Sequence, residues 1–246
     1  MLYLIGLGLD KKDLSVKAVE AVKKCRKIYL EIYTSVLPYK TKELEKFLRK
    51  KVIEAGREEI ENKAEELLKY AKKEDIAILV PGDPLAATTH IYLILRARKE
   101  KIKTNIIHAP SVLTAIAETG LQLYKFGKTA SIPKFQPNFE PESFYGIILE
   151  NLKINAHTLL LLDIGLSVNE ALSYIRKISE KNNDILKENM FVVCSGAGTE
   201  KSSFRTGKVD ELMKQEFRLP ACIIVPASLH FLEAEMLGIK PFNQQT

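Results

Sequence analysis

The chain has 246 residues, 46% of them apolar and 28% charged, with 37 Lys and Arg against 31 Asp and Glu for a net charge of +6. That length holds one large domain or two small ones, and no run approaches the roughly 18 consecutive apolar residues of a membrane span. The positive excess is too small to argue for direct nucleic-acid binding, although it favours an acidic partner surface. Three dispersed cysteines (Cys25, Cys194, Cys222) form no CxxC pair, and the four histidines lack metal-ligand spacing. A reduced, cytoplasmic setting and no metal centre are expected.

The start, MLYLIGLGLDKKD, lacks a positively charged leader region and reads as a first strand over 1–7, turning at Gly6, Leu7 and Gly8. Ser15 is placed to cap a helix over 15–25 with Val16, Val19, Ala21 and Val22 on one face. KIYLEIY (27–33) alternates and predicts a second strand. Charged helices follow over 41–50 and 58–72, the acid-rich stretch 58–66 reading as a solvated face. DIAILV (75–80) is a third strand that ends at Pro81-Gly82-Asp83-Pro84. A helix from near Leu85 to about Lys99 leads to a fourth strand, TNIIH (104–108). Ala109-Pro110-Ser111 then opens a helix that stops at Gly120. Four strand–helix alternations predict a parallel sheet covered on both faces.

Beyond Gly120 the order changes. Strands are expected over 125–133, 158–164, 190–194, 203–207 and 221–225, with helices over 142–152, 168–181, 209–217 and 229–237. The fold class is α/β, with two α/β domains: 1–112 carrying a mostly parallel sheet, 113–246 a mixed one, and a ligand cleft between them. The tail from Pro241 is expected to be loose.

The stretch VPGDPLAATTH (80–90) stands out. Pro84 forces Asp83 out of the helical region, and Gly82 adopts angles other residues avoid. Asp83 is therefore held in a bent loop at the carboxyl end of a strand, where open α/β sheets bind ligands; capping a helix near Leu85 is the alternative. Gly6-Leu7-Gly8 has Lys11 where a dinucleotide loop needs its third glycine, and Gly127-Lys128-Thr129 has Gln122 where a phosphate-binding loop needs its first. Ser195-Gly196-Ala197-Gly198 has Val193 where a nucleophile elbow needs glycine, and reads as small residues making room at a strand end. His90 is either a buried structural histidine or a functional one. His108 and His157 read as strand-end residues, and His230 is placed to hydrogen-bond a ligand. The unifying feature is position: loops rich in Gly, Ala, Ser or Pro follow each apolar strand and suit a ligand held by main-chain contacts. Arg96, Arg98, Lys99, Lys101 and Lys103 cluster as a solvated helix end, the alternative being a guide for an acidic partner.

At these motifs the chain resembles the diphthine synthase family of the tetrapyrrole-methylase-like methyltransferases. GLGLDKKDLSVKAVEAVKKC, VPGDPLAATTH, HAPSVLTAIAETGLQLYKFGKT, HTLLLLDI and VPASLHFLEAE carry the likeness over essentially the whole chain. GDPLAATTH and GLQLYKFGKT are specific to this branch, whereas Gly-Asp-Pro alone marks the wider class. The resemblance implies a cytoplasmic, homodimeric enzyme that uses S-adenosylmethionine and releases S-adenosylhomocysteine. Its substrate would be the 3-amino-3-carboxypropyl-histidine of translation elongation factor 2, trimethylated on its amino group to diphthine in diphthamide biosynthesis by an archaeal-type enzyme, which the compact chain fits, and methylated on the carboxylate as well by a eukaryotic-type one. Carried over by motif position, the cofactor contacts are Leu9, Asp83, Ala86, Ser111, Val112, Leu162 or its neighbour Asp163, Ala197 and His230. No catalytic base is identified; His90 is the candidate to accept a proton. One departure is CSGAGT, where Gly196 stands in place of the arginine that related enzymes often carry. The rival readings are a same-class methyltransferase acting on a tetrapyrrole precursor or ribosomal RNA, and a non-catalytic nucleotide-binding module.

Overall fold

The computed structural model describes residues 1–239, so the expected loose tail lies outside the described residues. The chain divides into two compact units, Met1–Leu113 and Thr114–Thr246.

In the first unit, β1 (Leu2–Gly6), β2 (Lys27–Glu31), β3 (Ile53–Ala55), β4 (Ile76–Val80) and β5 (Thr104–Ile107) form one sheet in the order β3-β2-β4-β1-β5. Every pairing is parallel. The steps β1 to β2 to β3 cross the sheet one way, and β3 to β4 to β5 cross it the other way. Right-handed crossovers then put α1 (Val16–Lys24) and α2 (Thr41–Leu48) on one face, α3 (Ala64–Lys73) and α4 (Ile91–Lys99) on the other. The packing agrees. Leu2, Leu4, Ile76 and Ile78 meet Leu67 and Ile94, while Tyr3, Ile5, Ala77 and Leu79 meet Ala18 and Leu44. The winding reverses between β1 and β4, so their carboxyl ends form the switch point where open sheets take ligands.

Several predicted elements change. Strand β3 was not expected. It has three residues, Ile53 is 47% exposed, and it exists by pairing with β2. Strand β2 is buried almost throughout rather than alternating, because helices cover both faces. The helix expected over 58–72 opens as a π turn, Glu58–Asn62, before α3 begins at Ala64. In α1, Ser15 does cap the helix by accepting from the Ala18 N–H. The buried stripe, however, is Ala18, Ala21 and Val22, and Val16 is 75% exposed.

In the second unit, β6 (Ala130–Ile132), β7 (Thr158–Leu162), β8 (Phe191–Ser195), β9 (Ser203–Gly207) and β10 (Ala221–Val225) run β6-β7-β10-β8-β9. Only β6–β7 is parallel, which makes the sheet mixed. A short α5 (Val112–Ala115) continues as a 3-10 turn to Thr119 and stops at Gly120, whose φ of 84° supplies the left-handed cap. Helices α6 (Ser143–Lys153), α7 (Val168–Lys181), α8 (Val209–Leu212) and α9 (Phe231–Met236) complete the unit. Helix α7 starts where the sequence says it should. Ser167 accepts from the Glu170 N–H and the Glu170 carboxylate accepts from the Ser167 N–H. Its Val168, Ala171, Leu172, Ile175 and Ile178 pack on Phe144, Leu160, Phe191 and Ile223. Helix α8 is one turn long, shorter than the 209–217 expected. No described helix is long and apolar enough to cross a membrane.

The corrected face of α1 is testable. Val22→Ala should cost roughly 2 kcal/mol through reduced burial and the cavity left behind, whereas Val16→Ala should stay within about 0.5 kcal/mol. Urea unfolding followed by circular dichroism distinguishes them, and equal costs would contradict the packing described.

Candidate active site

The loops after β1, β4 and β5 are built into one structure at the switch point. The Leu7 N–H donates to the Val80 carbonyl at 2.8 Å, and Gly8 and Gly82 then exchange hydrogen bonds in both directions, at 3.1 and 2.8 Å. Both glycines sit at positive φ, 74° and 72°, a conformation that disfavours residues with a side chain. Gly6 is required by space instead. A Cβ there would lie 2.6 Å from the Gly82 carbonyl oxygen and 2.8 Å from the Ala109 Cβ. The close approach that this Gly-rich turn permits is to another backbone. One residue missed from sequence closes the β1 loop: Asp13 Oδ2 accepts from the Leu9 and Asp10 N–H groups at 2.8 and 2.9 Å.

Asp83 links the β4 loop to the β5 loop. Its Oδ1 accepts from the Leu85 N–H at 2.9 Å, and its Oδ2 accepts from His108 Nδ1 at 2.7 Å and from the Ala109 N–H at 3.2 Å. His108, read from sequence as a strand-end residue, therefore anchors this carboxylate. No helix starts at Leu85. The Ala86 N–H donates to the Asp83 carbonyl, Ala87 takes φ 57°, and α4 begins only at Ile91. The Pro84 carbonyl gathers two side-chain donors, Thr88 Oγ1 at 2.6 Å and His90 Nδ1 at 3.2 Å, and these hold the stretch as a loop. His90 is 1% exposed, and its other nitrogen faces the Tyr33 hydroxyl at 3.5 Å. Burial pushes its pKa down, against the opposing pull of Glu31 and Glu61. So enclosed a ring braces the loop from beneath. Ser111 is buried next to Gly82 and Val112 is half-buried. Leu9, Asp83, Ala86, Ser111 and Val112 thus belong to three loops that the first unit brings together.

The other predicted positions lie in the second unit. Leu162 ends β7 half-buried, and the neighbouring Asp163 is exposed and accepts from the Ile164 N–H at 3.0 Å. Ala197 sits between Gly196 and Gly198, both at positive φ, with the Gly198 N–H donating to Glu118 at 3.1 Å. His230 is exposed at the start of α9, where its Nδ1 accepts from the Leu232 N–H at 3.4 Å.

Behind His230 lies a buried network that was not foreseen. Glu233 is fully buried; its Oε1 accepts from the Gln122 N–H at 2.9 Å and from His157 Nε2 at 3.2 Å. Its Oε2 accepts from Lys125 Nζ at 2.5 Å and the His230 N–H at 2.7 Å. Burial opposes ionisation of Glu233, but these four donors outweigh it and pull the carboxyl down to about 2. His157 Nδ1 accepts from the Ala227 N–H at 2.9 Å, so the ring proton sits on Nε2 and points at Glu233. Burial pushes His157 below its ordinary pKa, against the pull of Glu233. His157 is therefore a neutral core histidine. The His230-x-x-Glu233 spacing matches a capping box, but nothing local announced Lys125 and His157 as partners.

The sequence matches the family model of the Tetrapyrrole (Corrin/Porphyrin) Methylases over residues 1–213, which sets the class as methyltransferases of that fold. A diphthine synthase of Methanococcus vannielii is 44% identical, the alignment covering 96% of this chain and 97% of the relative. The diphthine methyl ester synthase of Schizosaccharomyces pombe is 39% identical, covering 99% and 95%. A solved crystal structure of diphthine synthase matches with a TM-score of 0.89 at 35% identity, covering 96% of this chain and 94% of that one. Within the tetrapyrrole methylases, the chain belongs to the diphthine synthase family.

Two variants probe this construction. Gly6→Ala forces a methyl against backbone and should destabilise the first unit by about 1–3 kcal/mol, read by urea unfolding. Glu233→Gln breaks a buried charged pair and should cost roughly 3 kcal/mol at neutral pH. Because the folded carboxyl titrates at about 2 against an ordinary 4.5, the stabilising effect is complete above 4.5 and fades as pH falls toward 2. The gap between wild type and Glu233→Gln should therefore narrow over that window; a gap independent of pH would contradict the ionised network.

Proposed function

We propose that this protein transfers methyl groups from S-adenosylmethionine to the amino group of the 3-amino-3-carboxypropyl chain on a histidine of translation elongation factor 2. Three transfers yield diphthine, a step of diphthamide biosynthesis, and the enzyme works as a cytoplasmic homodimer. The observation that carries this reading is the full-length similarity to diphthine synthases, 44% identical in one case over 96% of the chain. The rival acceptors, a tetrapyrrole precursor or ribosomal RNA, find no support in the names of these relatives.

The residues fit the cofactor. Gly6, Gly8 and Gly82 let the loops after β1, β4 and β5 pack backbone against backbone, and loops of small residues gathered at strand ends suit a ligand with many polar edges. When bound, S-adenosylmethionine supplies a methyl group already activated by a positively charged sulfur. What remains for the protein is alignment and exclusion of water. In this reading Leu9 and Val112 offer apolar contact, Ala86 and Ser111 leave room, and Leu162, Ala197 and His230 contribute from the second unit. The Asp83 carboxylate, engaged by Leu85, His108 and Ala109, acts by holding the loop in shape. The acceptor must present a free lone pair. An α-amino group has a pKa of about 8, so an appreciable neutral fraction exists at pH 7 and the first transfer needs no strong base. His90, buried against Pro84 and Tyr33, is given no proton-transfer role.

The test is mass spectrometry of elongation factor 2 bearing the histidine intermediate, incubated with the protein and S-adenosylmethionine. Three methyl steps are expected. A fourth, removed by mild alkali, would favour the ester-forming activity named for the S. pombe relative, and no transfer at all would sink the proposal. By calorimetry, Asp83→Ala should weaken S-adenosylmethionine binding at least roughly tenfold, and unchanged affinity would remove Asp83 from the site.

A further inference from the structure

A cavity of about 410 Å³ lies within the second unit where β8 ends and β9 begins. Its wall is basic. Lys201, Arg205 and Arg218 line it, with Glu216 the one carboxylate among the lining residues, so the charge facing the space is two units positive. Ser195 pairs with Ser203 across the β8–β9 ladder, and Arg205 pairs with Val193. Two-residue spacing puts Ser203 and Arg205 on the same side of the sheet as Ser195. Arg218 comes from the segment between α8 and β10.

Two independent features mark this pocket as built to hold something. First, none of the three cations forms a salt bridge with a described residue. Arg205 donates from Nη1 to the Phe204 carbonyl at 3.1 Å, which leaves most of its five donors for another acceptor. What sets these three apart is that they converge on one cavity; exposed cations such as Lys11, Arg96 and Lys177 have a carboxylate beside them instead. Second, Ser195 is 7% exposed and its hydroxyl has no hydrogen-bond partner among the described residues. Buried polar side chains are nearly always satisfied, and an exception calls for a ligand, an ion or a water. Converging like charges repel unless a counter-charge sits among them, and guanidinium forks suit oxygens carried in pairs by carboxylate or phosphate.

We propose that this pocket binds a multiply charged oxyanion, a diphosphate or a polycarboxylate, gripped by Arg205, Arg218 and Lys201 and hydrogen-bonded by Ser195. The volume lies within the usual small-ligand range of roughly 300–1,000 Å³, larger than a lone phosphate needs.

Isothermal titration with sodium pyrophosphate and, separately, with citrate at constant ionic strength tests the assignment. Wild type should show saturable binding of one anion per chain. Arg205→Gln with Arg218→Gln should weaken it at least roughly tenfold, and Ser195→Ala roughly threefold to tenfold. Thermal melting should barely move, since among the described residues the Ser195 hydroxyl has no partner and the two arginines form no ion pair. Preference for pyrophosphate assigns a phosphate ligand, and preference for citrate a carboxylate one. Lys99→Gln with Lys101→Gln, exposed cations outside the pocket, should change nothing. The proposal is overturned by binding that does not saturate, by affinity indifferent to the pocket variants, or by equal weakening from the control pair.

Discussion

Two peptide groups set the form of the candidate active site. Beyond the ends of β1 and β4, Gly8 and Gly82 exchange both of their hydrogen bonds. Neither residue could take its left-handed conformation comfortably with a side chain. The exchange zips two loops together where the winding of the sheet reverses, and a reversal is what opens a crevice at strand ends. Gly6 lets the two loops and the Ala109 turn close to a distance that a single methyl would block. Without this paired glycine bridge, the predicted binding residues of the first unit would still exist but would no longer share a place.

The remaining polar atoms of these loops are consumed by holding shape. Asp13 closes the β1 loop, Asp83 ties the β4 loop to the β5 loop, and the Pro84 carbonyl accepts hydrogen bonds from Thr88 and His90. Side chains that look catalytic in a sequence are here engaged in the framework of these loops. A fixed framework of this kind suits methyl transfer, in which the reacting group arrives activated and the demand on the protein is positional accuracy.

How much of this was legible depended on where the partners of each residue lie. Buried strands such as TLLLL, FVVCS and ACIIV announce themselves because their environment is uniform, and α7 is bounded correctly by a capping box that is entirely local. Strand β3 was invisible because its three residues are strand only by virtue of β2. The start of α4 was misplaced because the Pro84 carbonyl, reached by side chains four and six residues on, outcompetes helix formation after Leu85. In the site, glycines and prolines at strand ends were readable from composition. The acid-anchored contacts were not: Asp13 resembles any polar residue before a helix, and Glu233 finds two of its four donors more than a hundred residues back.

That last separation has a consequence for how the polypeptide is made. The second unit opens at Thr114 and α9 is its last described helix, and one carboxylate in α9 satisfies Gln122, Lys125 and His157 together. Until α9 leaves the ribosome, the Lys125 ammonium and the buried His157 imidazole lack the Glu233 carboxylate, and drying them out without it is costly. The first unit needs nothing beyond residue 113 to complete its sheet, so it can fold during synthesis. The second must wait for its keystone, and a chain cut short before residue 233 would present one finished half attached to one that never sets.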